Sequence, residues 1–463
     1  MFVKTFLCQT TNLEGRVKRQ GRCKMNVQSF TRKLLGNAFS IGLIFFSWGF
    51  FVQSSYAVPA FARQTDQSCI ACHAGGQYPE LTPYGRLFKL TGYTIGERTT
   101  PVSVMGVIGA SKMANTDSIN TSLSANTGQG LANPTNSKLS FETASLFFAG
   151  KISDNVGGFA QVTYDNYASP DASGANTVGH SGADNIDIRY ADQIVTPTSN
   201  LIYGLSLNNN PSVTDPWNTS WAWMSYVPST SGKGSNAYID ATTPYPNHGM
   251  PGLISGLNAY AFIDKTFYGE IGFYRTANKA LSFMNSGHDA APINGSNPYW
   301  RLTYNKEWGP QNLMLGLSGM NGHPYDSNAG VGWGDSASYY SVKSNGADFQ
   351  YQYLLDPHTI TVQSVYQHQL TSPSAQDGGA PFGTNIFRLK GSYVYMAKYG
   401  GSLSYFNRTG DFNMATSGNT YELFYTPVQN IRIGVQYTNY TKLASIDNPH
   451  DANTVRVYGW FAY

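Results

Sequence analysis

From residue 101 to the end of the chain, apolar and polar side chains exchange places every second residue. The stretches 139–151, 158–166, 257–263, 269–274, 300–305, 313–318, 360–368, 387–396, 421–425 and 431–437 show this clearly. A period of two belongs to the strand, whose successive side chains point to opposite faces. Two kinds of connection separate the stretches. Tight ones fall near Ser153-Asp154, 197–200, Asp264-Lys265, 307–311, Asp356-Pro357, 399–401 and 427–430. Long polar ones, rich in Asn, Ser, Gly and Pro, cover roughly 114–137, 169–184, 209–252, 277–297, 322–344, 370–383, 410–417 and 442–452. Seven short turns and eight long loops join sixteen strands with both chain ends on one side. An even strand number with short periplasmic turns and long external loops is the pattern of a bacterial outer-membrane barrel. In the final strand Val455, Val457, Gly459, Phe461 and Tyr463 share one face, an apolar row that ends on an aromatic and suits lipid. The predicted fold is therefore all-β, a 16-stranded antiparallel transmembrane β-barrel over 101–463.

The residues ahead of the barrel follow another pattern. One long apolar run, 38–52 (AFSIGLIFFSWGFFV), follows Arg32 and Lys33 and is followed by Ser55-Tyr56-Ala57. Its length is short for a spanning helix and suits a signal peptide with a small-x-small cleavage site. Residues 1–57 read as that signal, with Met25 as an alternative start. Removing them changes the charge balance. They hold eight basic residues and one acid, so of 30 basic and 27 acidic residues the mature chain keeps 22 and 26, a net of −4. Nothing in that balance favours nucleic acid. Charged residues make up 12% of the chain, well below the ~25% of soluble domains.

Export also removes Cys8 and Cys23, leaving Cys69 and Cys72 in the sequence Cys69-Ile70-Ala71-Cys72-His73. C-x-x-C-H is the attachment motif of a c-type haem: the spacing lets both thiols reach the two vinyl groups of one porphyrin, and the adjoining histidine ligates the iron. A zinc site lacks a second cysteine pair, and a Cys69–Cys72 disulfide leaves the histidine unexplained. The segment 58–100 is thus read as a monohaem cytochrome segment carrying one covalent haem c. Thr82, Pro83 and Gly92 mark a helix by its N-cap, its first residue and its C′ position. On that helix Tyr84, Leu87, Phe88 and Leu90 are candidates to cover a haem face, and Arg86 and Lys89 are candidate propionate partners. So short a segment has too small a core to stand alone, and it is expected to plug the barrel lumen.

The runs VPAFARQT, CIACH and PELTPYGRLFKLTGYT, with NNNPSVTDPWNTSWAW at 208–223, resemble the fused monohaem cytochrome c–porin family of outer-membrane iron oxidases. The resemblance covers the mature chain, with its specific motifs in 58–96 and 208–223. It implies oxidation of extracellular Fe(II), with the electron passed through the haem to a periplasmic electron-carrier cytochrome, an iron:cytochrome c oxidoreductase. Cys69 and Cys72 would hold the haem and His73 its iron. Met105, with Met113 on the same parity of the first strand, is a candidate distal ligand; His180, His248, His288, His323 and His450 fall in external loops, and His358 at a periplasmic turn. Asp171, Asp184, Asp215, Asp289, Asp326 and Asp335 lie in or near the long loops without forming a cluster for ferrous ion. Two alternatives stay open: a conduit for a different extracellular donor or acceptor, and a passive diffusion porin with a Cys69–Cys72 disulfide.

Overall fold

The computed structural model describes residues 59–463 apart from 77–79, 116, 119–138, 166–179, 220–252, 286–292, 326–337, 376–377, 411–414 and 445. The expected signal segment 1–57 lies outside the described residues, as do Asp171, Asp289, Asp326, Asp335, His248 and His288.

The strands in chain order are β1 Val102–Met113, β2 Ser140–Lys151, β3 Val156–Asp165, β4 His180–Val195 and β5 Asn200–Asn208. Next come β6 Ile254–Ile263, β7 Phe267–Thr276, β8 Asn297–Trp308, β9 Gln311–Gly322 and β10 Ser341–Leu355. The rest are β11 His358–Ser372, β12 Phe382–Tyr395, β13 Tyr399–Gly410, β14 Thr416–Val428, β15 Ile431–Leu443 and β16 Thr454–Ala462. Each pairs antiparallel with the next, and β16 returns to β1 with Val457 opposite Ala110. The result is a closed barrel of sixteen strands, as the alternation predicts. Closure leaves no edge strand exposed to lipid.

The faces are sorted as a lipid environment requires. Leu205, Leu257, Ile271, Phe273, Leu302, Leu315, Leu317, Leu423 and Val457 stand exposed on the outside. Their neighbours in the strands point inward and are buried, among them Ser206, Asn258, Arg301, Gln350, Gln363 and Gln436. In β16 the row Val455, Val457 and Phe461 faces out while Thr454, Arg456 and Tyr458 face in, as read from the sequence.

One turn follows the sequence signal and another departs from it. Asp264 and Lys265 both take positive φ, 50° and 55°, in the tight turn expected of them. The turn after β12 was expected at the glycines of 399–401, yet Met396 and Ala397 form it with φ of 54° and 52°. Gly400 and Gly401 instead lie inside β13, where Gly400 makes room for the Phe424 ring; a Cβ there would sit 2.2 Å from its Cζ. The loop boundary at 184 also moves. β4 starts at His180, so Asp184 is a strand residue whose carboxylate accepts from Thr163 Oγ1 at 2.8 Å.

Ahead of β1 come three short helices, α1 Pro59–Thr65, α2 Cys69–Cys72 and α3 Pro83–Leu90. They belong to the same compact unit as the barrel. A fourth, α4 Pro211–Thr214, follows β5. The loop after β5 was expected outside. Its first part instead enters the lumen: Asn209, Asn210, Thr214, Asp215, Trp217 and Thr219 are all fully buried.

Candidate functional site

Helix α2 carries both cysteines and ends at His73, whose extended backbone forms a β-bridge with Leu81. The chain then turns back on itself. Ala74 N donates to Glu80 O at 2.8 Å and Thr82 N donates to Cys72 O at 2.9 Å. Thr82 caps α3 by accepting from Gly85 N, Pro83 opens the helix, and Gly92 closes it with φ +72°. Gly92 N donates to Lys89 O and Tyr93 N donates to Phe88 O, the paired bonds that satisfy a helix C-terminus through a left-handed glycine. The three sequence signals for this helix all hold.

Gly85 explains how α3 packs on the motif. A Cβ at this position would lie 2.2 Å from Cys72 O, so only glycine lets the helix press its first turn against the second cysteine.

Cys69 and Cys72 are thiols, Cys69 buried and Cys72 partly so. Burial, with Cys69 alongside, pushes the Cys72 thiol up to about 11. Such a thiol is a poor nucleophile and a poor redox centre. Burial pushes the His73 imidazole down to about 3, so it is neutral across the physiological range, the form that ligates metals. Two thiols one helical turn apart, with an imidazole directly after, are the donor set that covalent attachment of a haem requires. Among the described residues no group of three or more His, Cys, Asp or Glu is placed to hold a metal ion.

The segment bonds to the wall right round the barrel. Arg63 Nη2 donates to Val102 O of β1 at 2.6 Å, and Gln64 Oε1 accepts from Lys151 N of β2 at 2.8 Å. Tyr93 OH donates to Asp187 of β4 at 2.6 Å, and Tyr260 OH of β6 donates to Leu90 O at 2.7 Å. Glu80 takes the Lys390 ammonium of β12 at 2.7 Å, and Cys69 N donates to Gln429 Oε1 in the β14–β15 turn at 3.3 Å. The motif thus sits at the short-turn end of the lumen.

Arg86 and Lys89 are not solvated. Both are buried. Arg86 donates to Leu81 O at 3.0 Å and to Gln352 Oε1 at 3.1 Å, lies 3.6 Å from Glu307, and covers the Trp217 ring at 5.8 Å. Burial, opposed by Glu307, lowers its guanidinium to about 10. Lys89 Nζ donates to Asp215 O of the in-folded loop at 2.8 Å. Burial, with Arg189 nearby, lowers that ammonium to about 8. These cations hold the segment to the wall and the loop, a role that only their tertiary neighbours reveal. The apolar residues are engaged in the same way. Leu90 packs with Ile202, Tyr260 and Trp217, with Leu87 against that cluster, and Phe88 meets Phe61 and Tyr93 at ring distances of 4.9 and 5.9 Å. Tyr84 stays half-buried beside Cys72.

Met105 lies on the inner face of β1, two strand positions along from Ser103, and is half-buried. Met113 is buried at the other end of that strand with Phe406 and Tyr440. His180 and His358 open β4 and β11, and His358 bonds Tyr393 OH at 2.8 Å.

Sequence reasoning missed the buried ionic core that fixes the loop. Arg301 of β8 grips Asp348 of β10 through two bonds of 2.9 and 2.7 Å, with Asp215 at 3.3 Å from its Nε. Thr219 OH donates to the same Asp348, and Arg189 of β4 donates to Asp187 at 2.7 Å and to Thr214 O at 2.8 Å. Asp215 is therefore no external iron ligand. The only available hint was that charged residues in a membrane strand pattern need partners.

No family model and no curated protein matches the chain. Solved barrels resemble it in outline. The outer membrane channel DcaP of Acinetobacter baumannii shares 12% identity at a TM-score of 0.43, over 78% of this chain and 96% of that one. OmpF of Salmonella typhi shares 13% at 0.43 over 78% and 97%, and an anion-selective porin from Comamonas acidovorans 11% at 0.40 over 78% and 99%. The assignment of class rests on this chain's own strands. A closed, even-numbered antiparallel barrel with an apolar outer face and alternating short and long connections defines a porin-like outer-membrane protein. Within that class it is set apart by the C-x-x-C-H segment seated in its lumen.

Proposed function

We propose that this protein transfers electrons across the outer membrane. One haem is held covalently by Cys69 and Cys72, with His73 as proximal iron ligand and Met105 as candidate distal ligand. The observation that carries the reading is the location of the C-x-x-C-H turn: it lies inside a membrane barrel, within a segment bonded to the wall right round. An electron crossing the bilayer needs a relay at a set position, and a plug bonded to the wall can hold one.

When bound, the haem supplies a one-electron couple. The chain's own residues do the rest. Cys69 and Cys72 fix the attachment, and neutral His73 presents a nitrogen lone pair. Gly85 lets α3 close over the motif, while Arg86 and Lys89 lock α3 to the wall and the loop. With the short turns periplasmic, the motif faces the periplasm, where a soluble cytochrome could collect the electron. The long loops then face the outside, where extracellular Fe(II) is the donor that the family resemblance favours.

The mass of the processed chain tests the haem. A covalent haem adds a fixed mass and an absorbance, whereas a Cys69–Cys72 disulfide removes two hydrogens and leaves the protein colourless, which would leave a diffusion porin. Rapid haem reduction by Fe(II) added on the loop side supports the iron reading. A haem that stays oxidised in excess Fe(II) but accepts electrons from another donor would shift the reading to a different substrate.

A further inference from the structure

A continuous column of buried rings and hydrogen bonds climbs the lumen from the C-x-x-C-H turn to the loop end. It starts where Gly85 meets Cys72 and where Arg86, the next residue, covers the Trp217 ring at 5.8 Å. Trp217 meets Tyr268 edge-on at 5.6 Å. Tyr268 OH donates to Glu270 Oε2 at 2.9 Å, and Asn258 Nδ2 donates to Glu270 Oε1 at 2.6 Å. Asn258 Nδ2 also reaches Tyr274 OH at 2.9 Å, and the Tyr274 ring meets Tyr299 at 6.0 Å. The strands give the direction. On β7, Tyr268 is one residue from the short-turn end and Tyr274 two residues from the loop end. Tyr299 is the third residue of β8, again at the loop end. Trp217, Tyr268, Tyr274 and Tyr299 are at most 2% exposed.

Among the described residues the opposite wall joins its rings through arginines rather than ring to ring: Arg432 covers Phe424 at 3.8 Å and Tyr458 at 5.9 Å, and Arg456 covers Tyr458 at 4.5 Å. There β14–β16 present Glu422, Arg432 and Arg456, charged groups paired with one another or with Glu142, and Tyr458 OH donates to Glu422. An aromatic pair occurs at Phe406 and Tyr440, 5.7 Å apart.

We propose that Tyr299, Tyr274, Asn258, Glu270, Tyr268 and Trp217 form the electron path between the loop side and the C-x-x-C-H turn. This deepens the reading of the chain as an electron carrier and rests on it. Electronic coupling decays steeply across empty gaps and gently through hydrogen bonds and contacting π-systems, so a packed column is the favoured bridge. One electron leaves an extracellular one-electron reductant, which is oxidised by one unit, and the acceptor at Cys69–His73 is reduced by one unit. No bond in the column forms or breaks, and no side chain is changed at the end.

The test uses the full processed protein, oriented in vesicles with loops outward. An impermeant one-electron reductant is added outside and haem reduction is followed by absorbance. Trp217→Leu and Tyr274→Leu are each expected to slow reduction by an order of magnitude or more, with the haem spectrum and midpoint potential unchanged. Tyr274→Phe, which keeps the ring but loses the hydroxyl that Asn258 bonds, should recover only part of the rate. Tyr440→Leu is the control, equally buried but off the path, and should leave the rate unchanged. Folding is read from the heat-shifted gel mobility of barrels. A second readout is independent of haem reduction: an impermeant photo-oxidant outside removes one electron from the column, and dissolved dioxygen traps the resulting Trp217 radical as an oxygen adduct seen by mass spectrometry. That adduct should vanish in Tyr274→Leu. Rates unchanged in the Trp217 and Tyr274 variants, or slowed equally by Tyr440→Leu, overturn the path while leaving the carrier reading intact. A processed protein without haem overturns the carrier reading itself.

Discussion

Lys89 Nζ donates to the backbone carbonyl of Asp215 at 2.8 Å, deep in the barrel. This bond joins the helix that follows the C-x-x-C-H turn to the loop that follows β5, so plug and loop are fixed as one body. The side chain of the same Asp215 faces Arg301 at 3.3 Å, which ties the pair to the wall.

The first prediction concerns pH. Burial lowers the Lys89 ammonium to about 8, against 10.5 when unfolded. Between those values the undocked chain holds more protons than the docked one, so docking strengthens as pH rises through that window, by up to about 3 kcal/mol in total. The protection factor of the α3 amides, with the intrinsic exchange rate divided out, should rise from pH 8 to 10 in the wild type. In Lys89→Met the pH dependence should flatten.

Gly85→Ala should spare the barrel and damage the motif. The added Cβ meets Cys72 O at 2.2 Å, a backbone clash that must displace α3 and costs about 1–3 kcal/mol as overpacking. The heat-shifted band on a gel should persist, while covalent haem measured by peroxidase staining falls. Full haem loading in this variant would show that the turn tolerates the shift.

Arg301→Met leaves Asp215 and Asp348 buried without their cation. Removing one partner of a buried ionic group costs about 3–5 kcal/mol. The loop should leave the lumen, making sites near Trp217 accessible to added protease. Replacing Arg301, Asp215 and Asp348 together by apolar residues of similar size should recover much of the loss.

Deleting residues 58–98 should open the barrel. The wall contacts of Arg63, Gln64, Glu80, Arg86 and Tyr93, and the loop contact of Lys89, all disappear with that segment. In planar bilayers the full protein should conduct little and the deleted form markedly more. Equal conductance would mean that the plug does not obstruct the pore.

The sequence determined the barrel itself. Alternation with period two, seven short turns and eight long loops suffice for strand number and closure, because a membrane accepts β-structure only as a closed sheet with one apolar face. It also determined the C-x-x-C-H turn and the caps of the helix after it, since Thr82, Pro83 and Gly92 act through neighbours within a few residues. It misjudged what depends on distant partners. The glycines at 400 and 401 looked like a turn and proved to be space for Phe424. Arg86 and Lys89 read as propionate partners on a helix face, and their burial against Gln352 and Asp215 was not legible in the sequence. The loop holding Asp215 and Trp217 looked external, yet it enters the lumen because Arg301, Asp348, Arg189 and Lys89 converge there from segments far apart in the chain. Such convergence is a property of the closed wall, and no local pattern of residues encodes it.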